Sequence, residues 1–196
     1  MKAAPTSQQL IAGPVGAIEL LVDAPPSPRG IALIAHPHPL FGGANTNKVT
    51  HTLARTLRDL GYVALRPNFR GVGQTAGTHD HGAGETEDLL AVLDWAHQAW
   101  QLDVYRPSVL AGFSFGAYVQ TRVARRLADA GHPPKRLILV GTAAGFIEGA
   151  RQSATEAVEA SMLIAVTPPS RVERTTMPSS AAILSQSSSG SLVPRL

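Results

Sequence analysis

An α/β architecture, with a mostly parallel sheet and helices on both faces, is predicted by three features of this chain. Short apolar runs alternate with amphipathic stretches all the way from Ala17 to Val166. Residues 31–35 and 136–141 are almost continuously apolar, which is the pattern of strands buried on both faces. The segments between strands are long enough to serve as helical crossovers. A chain of 196 residues suits one domain, or one domain with a tail, and can bury a real core.

The elements follow in order. Residues 17–22 read as a strand, and so do residues 31–35. The segment between them, Asp23 to Gly30 with three prolines, reads as a hairpin-like turn. Residues 47–60 carry Val49, Leu53, Leu57 and Leu60 at helical spacing, with Gly61 as the C-terminal stop. Residues 62–65 form a strand ending at Pro67. Residues 85–100 make the clearest helix, with Leu89, Leu93, Ala96 and Trp100 on one stripe. Glu85, Glu87 and Asp88 lie at its positive N-terminal end. A strand over 108–113, a helix over 115–130 closed by Gly131, and the strand 136–141 come next. A weaker helix, 148–159, leads to a last apolar run over 162–166. No internal repeat is present.

Beyond Val166 the pattern stops. Residues 167–196 hold eight serines and four prolines, and they lack aromatic residues and Asp. Residues 186–191 are linker-like, and Leu192-Val193-Pro194-Arg195 resembles a protease-site remnant. The expected division is a core over 1–166, incomplete, and a Ser/Pro-rich tail over 167–196 that is disordered or out of frame.

Composition excludes several functions. With no cysteine there are no disulfides, no thiolate catalysis and no Cys-bound metal. No apolar run approaches the ~18 residues of a membrane span, and Met1–Leu10 lacks the apolar core of a secretory signal. A cytoplasmic protein with no membrane partner is expected. The net charge of +3 comes from scattered Lys and Arg, unlike the basic stripe of a nucleic-acid binder. All seven histidines lie between His36 and His132, and the last Asp is Asp129.

Three segments carry chemistry. Gly112-Phe113-Ser114-Phe115-Gly116 joins a strand to a helix, the setting in which G-x-S-x-G is a nucleophile elbow. The turn is so tight that glycines must flank the serine, whose oxygen then projects above the sheet. The Phe115 N–H, at the helix start, can donate to an oxyanion. His36-Pro37-His38-Pro39-Leu40-Phe41-Gly42-Gly43 follows an earlier strand, and the segment from Arg66 to Thr75, containing Asn68, Arg70, Gly71 and Gly73, follows the next.

Other readings of these residues are weaker. His36 with His38, and His79 with His81, have the two-residue spacing of a chelate. Leu40 nevertheless stands where a metallo-hydrolase pattern needs Asp, so no metal is expected. Gly71, Gly73 and Gly77 miss dinucleotide-loop spacing, and no helix starts there, so no cofactor is expected. Arg122, Arg125 and Arg126 read as a solvated helix face.

In this order and spacing the three segments resemble those of the α/β-hydrolase superfamily over roughly residues 15–165. The nearest resemblance is to small, lid-less bacterial hydrolases of the dienelactone-hydrolase-like type, whose oxyanion loop reads H-P-H-P. The resemblance implies the α/β-hydrolase fold and an esterase-like serine hydrolase acting on a small-molecule acyl substrate. It makes Ser114 the nucleophile and the amides of Phe115 and His38 the oxyanion hole. Pro37 and Pro39 have no N–H, so His38 is the one donor in that tripeptide. His36, Gly112, Gly116, Asn68 and Arg70 would shape the site.

The superfamily's triad runs Ser, then acid, then His along the chain. Here only His132 follows Ser114, and it lies at the far end of the intervening helix. Neither the acid nor the histidine of the triad is found where the resemblance places it. The expectation is that the reading frame shifts near Val166, so that the sheet lacks its C-terminal strand and helix. Sequencing the gene tests this, since an alternative frame must then encode the acid and histidine motifs. Two functions remain: a serine hydrolase impaired in this chain, or a non-catalytic α/β-hydrolase-like protein. A truncated sheet would also leave the 162–166 edge open to self-association.

Overall fold

The structure, a computed structural model, describes residues 6–101 and 108–141, and the backbone alone of 162–166, 173–176 and 182–185. The strands are β1 (Ser7–Gly13), β2 (Gly16–Asp23), β3 (Gly30–Ala35), β4 (Tyr62–Pro67), β5 (Ser108–Phe113), β6 (Arg136–Val140) and β7 (Met162–Val166). Together they form one seven-stranded sheet in the order β1-β2-β4-β3-β5-β6-β7. β1 and β2 run antiparallel, and β2 joins β4 antiparallel; from β4 to β7 every pairing is parallel. The chain therefore has the predicted α/β-hydrolase architecture, a mostly parallel sheet with helices.

Every residue of β3 and β4 is buried, as expected of central strands covered on both faces. Helix α1 (Lys48–Asp59) packs Ala54 and Leu57 with Ala32, Ile34, Val109 and Ala111, which point to one side of the sheet. Helices α2 (Ala83–Trp100) and α3 (Phe115–Asp129) cover the other side. There Leu89, Val92, Val119 and Val123 meet Leu33, Leu65, Leu110 and Leu137. This alternation along β3 and β5 is the period-two rule applied to a doubly covered sheet.

Caps set the helix ends. Asn47 Oδ1 accepts from the N–H groups of Val49 and Thr50 at the start of α1, and Gly61, at φ +90°, stops it. Gly131, at φ +80°, follows α3 in the same way.

One expectation fails. Residues 23–30 do not close a hairpin, because β4 lies between β2 and β3 in the sheet. The six-residue connection, 24–29, is long enough to step past a neighbour. The real hairpin is β1–β2, turned at Pro14 and Val15 between the paired Gly13 and Gly16. A buried ion pair fixes this step: Arg66 Nη2 donates to Asp23 Oδ2 at 2.8 Å, and its Nη1 to the carbonyl of Asn45 at 3.2 Å. The run over 162–166 forms the expected strand, β7, which lies beside β6. The helix expected over 148–159 falls outside the described residues. Within the expected tail, β8 (Glu173–Thr176) and β9 (Ala182–Ser185) pair antiparallel, and β9 runs alongside β7.

Candidate active site

The C-terminal ends of β3, β4 and β5 lie side by side, so the three segments singled out in the sequence meet at one edge of the sheet. Open α/β sheets place their ligands at this edge.

Ser114 stands between β5 and α3 with φ +54° and ψ −116°. A non-glycine residue there is strained by roughly 1–3 kcal/mol and persists only where its surroundings hold it. Here its N–H donates to Val140 O at 2.9 Å, and its carbonyl accepts from Ala117 and Tyr118 at 3.0 and 3.3 Å. The flanking glycines are sterically required. A Cβ on Gly112 would enter the backbone of Gly116 and Ala117, and one on Gly116 would strike the carbonyls of Ala35 and His36. Gln120, fully buried on α3, pins the helix beneath the elbow by donating to Leu33 O at 2.9 Å and Ala111 O at 3.1 Å. Gly116→Ala is accordingly expected to destabilise the fold by about 3 kcal/mol, the upper range for overpacking, because backbone has to move. Thermal unfolding of the variant measures this.

The loop after β3 starts at His36, which is wholly buried. Its Nε2 accepts from the Phe69 N–H at 2.9 Å, so the proton sits on Nδ1, which donates to Pro37 O at 2.7 Å. Burial pushes this imidazole down to about 4, against the modest upward pull of the Pro37 carbonyl. It is a neutral tie between the loops that follow β3 and β4.

His38 begins a 3-10 turn, Pro39–Phe41, and caps it: its Nδ1 accepts from the Leu40 N–H at 3.3 Å. Its carbonyl accepts from Phe41 and Gly43, both at 3.1 Å. The His38 N–H takes no partner among the described residues. Phe115 is the first residue of α3, a position whose N–H lacks an intrahelical acceptor.

Asn68 and Arg70 organise the loop after β4. Asn68 Oδ1 accepts from the Asn45 N–H at 2.8 Å, and Thr75 Oγ1 donates to the Asn68 carbonyl at 3.1 Å. Arg70 grips Asp88 of α2 with Nε and Nη2 at 2.6 and 3.1 Å. Burial nevertheless holds the Asp88 carboxyl above its ordinary value, Arg70 opposing.

A cluster of histidine rings, His38 with the His79 and His81 pair, lies above the elbow. The His38 ring lies 4.8 Å from both His79 and Phe115, and His79 lies 4.8 Å from His81. Glu85, with no exposed surface, accepts from the N–H groups of Asp80 and Gly82, both at 2.8 Å. His79 Nδ1 sits 3.0 Å from Glu85 Oε1 but off the line of an ordinary hydrogen bond. Burial, then the neighbouring His79, lower the His38 imidazole. The signal for this pairing was Glu85 three residues past Gly82, the spacing of a helix N-terminal box.

Among the described residues no group of three or more His, Asp or Glu is placed to hold a metal ion. Nor is any helix there long and apolar enough to cross a membrane. The arginines of α3 are engaged at the surface: Arg126 with Glu87 at 2.6 Å, Arg125 with Asp129 at 3.0 Å, and Arg122 Nε with Thr86 Oγ1 at 3.2 Å. The Gly71–Gly77 loop leads to no helix until Ala83. His132 follows α3, whose 15 residues rise ~22 Å from the elbow.

Known proteins share this fold. The thioesterase domain family matches residues 51–168, more than half the chain. An α/β serine hydrolase homologue from Coxiella burnetii superposes with a TM-score of 0.68 at 35% identity, over 84% of this chain and 76% of its own. A lid-less α/β serine hydrolase from Xanthomonas campestris does so at 0.68 and 32%, over 87% and 88%. An uncharacterized protein of Rickettsia prowazekii is 41% identical over 121 residues, 61% of this chain and 50% of its own length. The chain spans half or less of the curated relatives it matches. On the family match and the two structural relatives together, the chain belongs to the thioesterase-domain family of α/β serine hydrolases.

Proposed function

We propose that this chain is a serine hydrolase of small esters and related acyl compounds, with Ser114 as nucleophile. The observation that carries the reading is the Ser114 backbone, strained at φ +54° where a strand turns into a helix between two obligatory glycines. Ser114 Oγ attacks the acyl carbonyl as its proton passes to solvent water, and the oxyanion that forms is received by the N–H groups of Phe115 and His38. Its collapse expels the alcohol, which takes a proton from solvent, and water then cleaves the acyl-serine to the free acid. Donors aimed at developing charge are each worth about 10²–10³ in rate. His36, Asn68 and Arg70 hold the loops that present these donors. The H-P-H-P loop, residues 36–39, supports a kinship with small lid-less hydrolases of the dienelactone-hydrolase-like type. The chemistry uses side chains and backbone alone, in a cytoplasmic protein whose core spans 1–166 with a tail over 167–196.

A second reading, a non-catalytic protein that binds acyl ligands, is favoured by one fact. The only histidine after Ser114 is His132, beyond the far end of α3. A serine hydroxyl is a poor nucleophile until a positioned base takes its proton. A fluorophosphonate probe separates the two. Labelling that disappears in Ser114→Ala establishes an activated nucleophile, whereas folded protein that resists the probe leaves the non-catalytic reading.

A further inference from the structure

Leu40 and Phe41 are 69% and 88% exposed, the two most exposed large apolar side chains among the described residues. They are consecutive and form the tip of the 3-10 turn that His38 caps. Water-facing apolar side chains are ordinary when single; an adjacent pair on a constrained turn beside a site marks a binding surface. The turn is held rigid by the His38 Nδ1 contact to Leu40, by the His38 carbonyl, and by Gly42 at φ +78°.

This tip is continuous with the elbow. The Phe41 ring lies 4.9 Å from the His38 ring, which lies 4.8 Å from Phe115, the residue after the nucleophile. Phe115 in turn meets Phe69 at 5.5 Å. The rings thus make an aromatic path from the proposed oxyanion donors out to the exposed pair. Leu40 and Phe41 of that turn carry no charge, and it has no acidic residue in its first turn or basic residue in its last. A polar or ionic substituent would find no partner on those two side chains. An alkyl chain would.

We propose that Leu40 and Phe41 are specificity-determining residues that receive the alkyl part of a medium-chain acyl group whose carbonyl is held at His38 and Phe115. The inference rests on the serine-hydrolase reading for its carbonyl position, and it names the substrate class of that same site: acyl groups longer than acetyl. Each methylene laid against the pair should raise kcat/KM, by up to about fourfold where it is fully buried.

The test compares p-nitrophenyl acetate with the octanoate at monomeric concentrations, using Leu40→Ser, Phe41→Ser and the double variant. The wild type is expected to prefer octanoate, and the double variant to lower the octanoate-to-acetate ratio of kcat/KM about tenfold. Phe41→Leu is expected to retain most of the preference. An unchanged ratio in the double variant overturns the proposal. So does a preference seen only with phosphatidylcholine vesicles, because the tip then serves a lipid surface.

A second measurement does not depend on turnover. On Ser114→Ala protein, titration with octanoate should shift the Leu40 methyl and Phe41 ring NMR resonances, and acetate should not. A shift without any fluorophosphonate labelling separates a failed hydrolase reading from a correct binding surface. No shift overturns the surface itself.

Discussion

Replacing Ser114 by glycine is expected to abolish fluorophosphonate labelling and yet raise stability by about 1 kcal/mol. The two effects have one source. The φ of +54° and ψ of −116° that lift the serine oxygen above the sheet are costly for any residue with a Cβ and cheap for glycine. Ser114→Ala keeps the Cβ, so it should lose labelling without gaining stability. Thermal unfolding of the pair, alongside probe labelling, checks both halves. The same reasoning bears on the wild type's rate. Nucleophile, base and acid act as a unit, so on the proposal that Ser114 works here without a dedicated base and acid, only a residue of catalysis is retained. Aryl ester hydrolysis by this chain is therefore expected at least about 10³-fold below that of a relative that carries both. Turnover at that relative's rate would mean that some imidazole of the 36–81 segment serves as base.

The parts of the molecule legible in the sequence are those where burial leaves a one-dimensional trace. β3 read as an apolar run because both faces of a central parallel strand are covered; β6 read the same way, yet only Leu137 and Leu139 are buried and the residue between them is half-exposed. The elbow read as G-x-S-x-G because two carbonyls and a helix backbone leave no room for a Cβ at Gly112 or Gly116. β1 was missed for the opposite reason: it is an edge strand with Ile11 as its one buried residue, so Ser7–Gly13 shows little apolar pattern. The hairpin error at 23–30 has the same root. Turn residues announce a change of direction, but which strand becomes the neighbour is decided by pairing across the sheet. The Arg66–Asp23 and His36–Phe69 contacts, which lock that choice, join residues 43 and 33 positions apart. In the site, the glycine-flanked turn at Ser114 and the loop after β3 that carries His36 and His38 were legible. The gathering of His38 and His79 against Phe115, with His81 edge-on to His79, was not, because it depends on how two loops fold over one edge.

Acid should weaken the fold through His36. In the folded protein this imidazole titrates at about 4, in the unfolded chain near 6.5. Between those values the unfolded chain binds a proton that the folded protein refuses, so stability falls as pH falls. The shift of about 2.5 units corresponds to about 3 kcal/mol, fully present above pH 6.5 and lost by about pH 4. Below that the folded form protonates too, and the loss levels off. Structurally, the second proton goes to Nε2, where it faces the Phe69 N–H it now accepts. Asp88 acts in the other direction. Its folded-state value is raised, so its contribution is present at low pH and declines as pH rises through the folded value. The half-buried His38 adds a smaller acid loss of the same sign as His36. A difference curve separates these. His36→Gln keeps an acceptor for Phe69 but cannot titrate, so it leaves the other two groups in place. The gap in unfolding free energy between wild type and His36→Gln, followed by urea titration from pH 7.5 to 4, is expected to close by about 3 kcal/mol. A gap independent of pH would show that His36 is not the neutral tie its two hydrogen bonds describe. Because that tie joins the loop bearing His38 to the loop bearing Asn68, the same acid window should loosen the proposed oxyanion hole before the sheet itself unfolds.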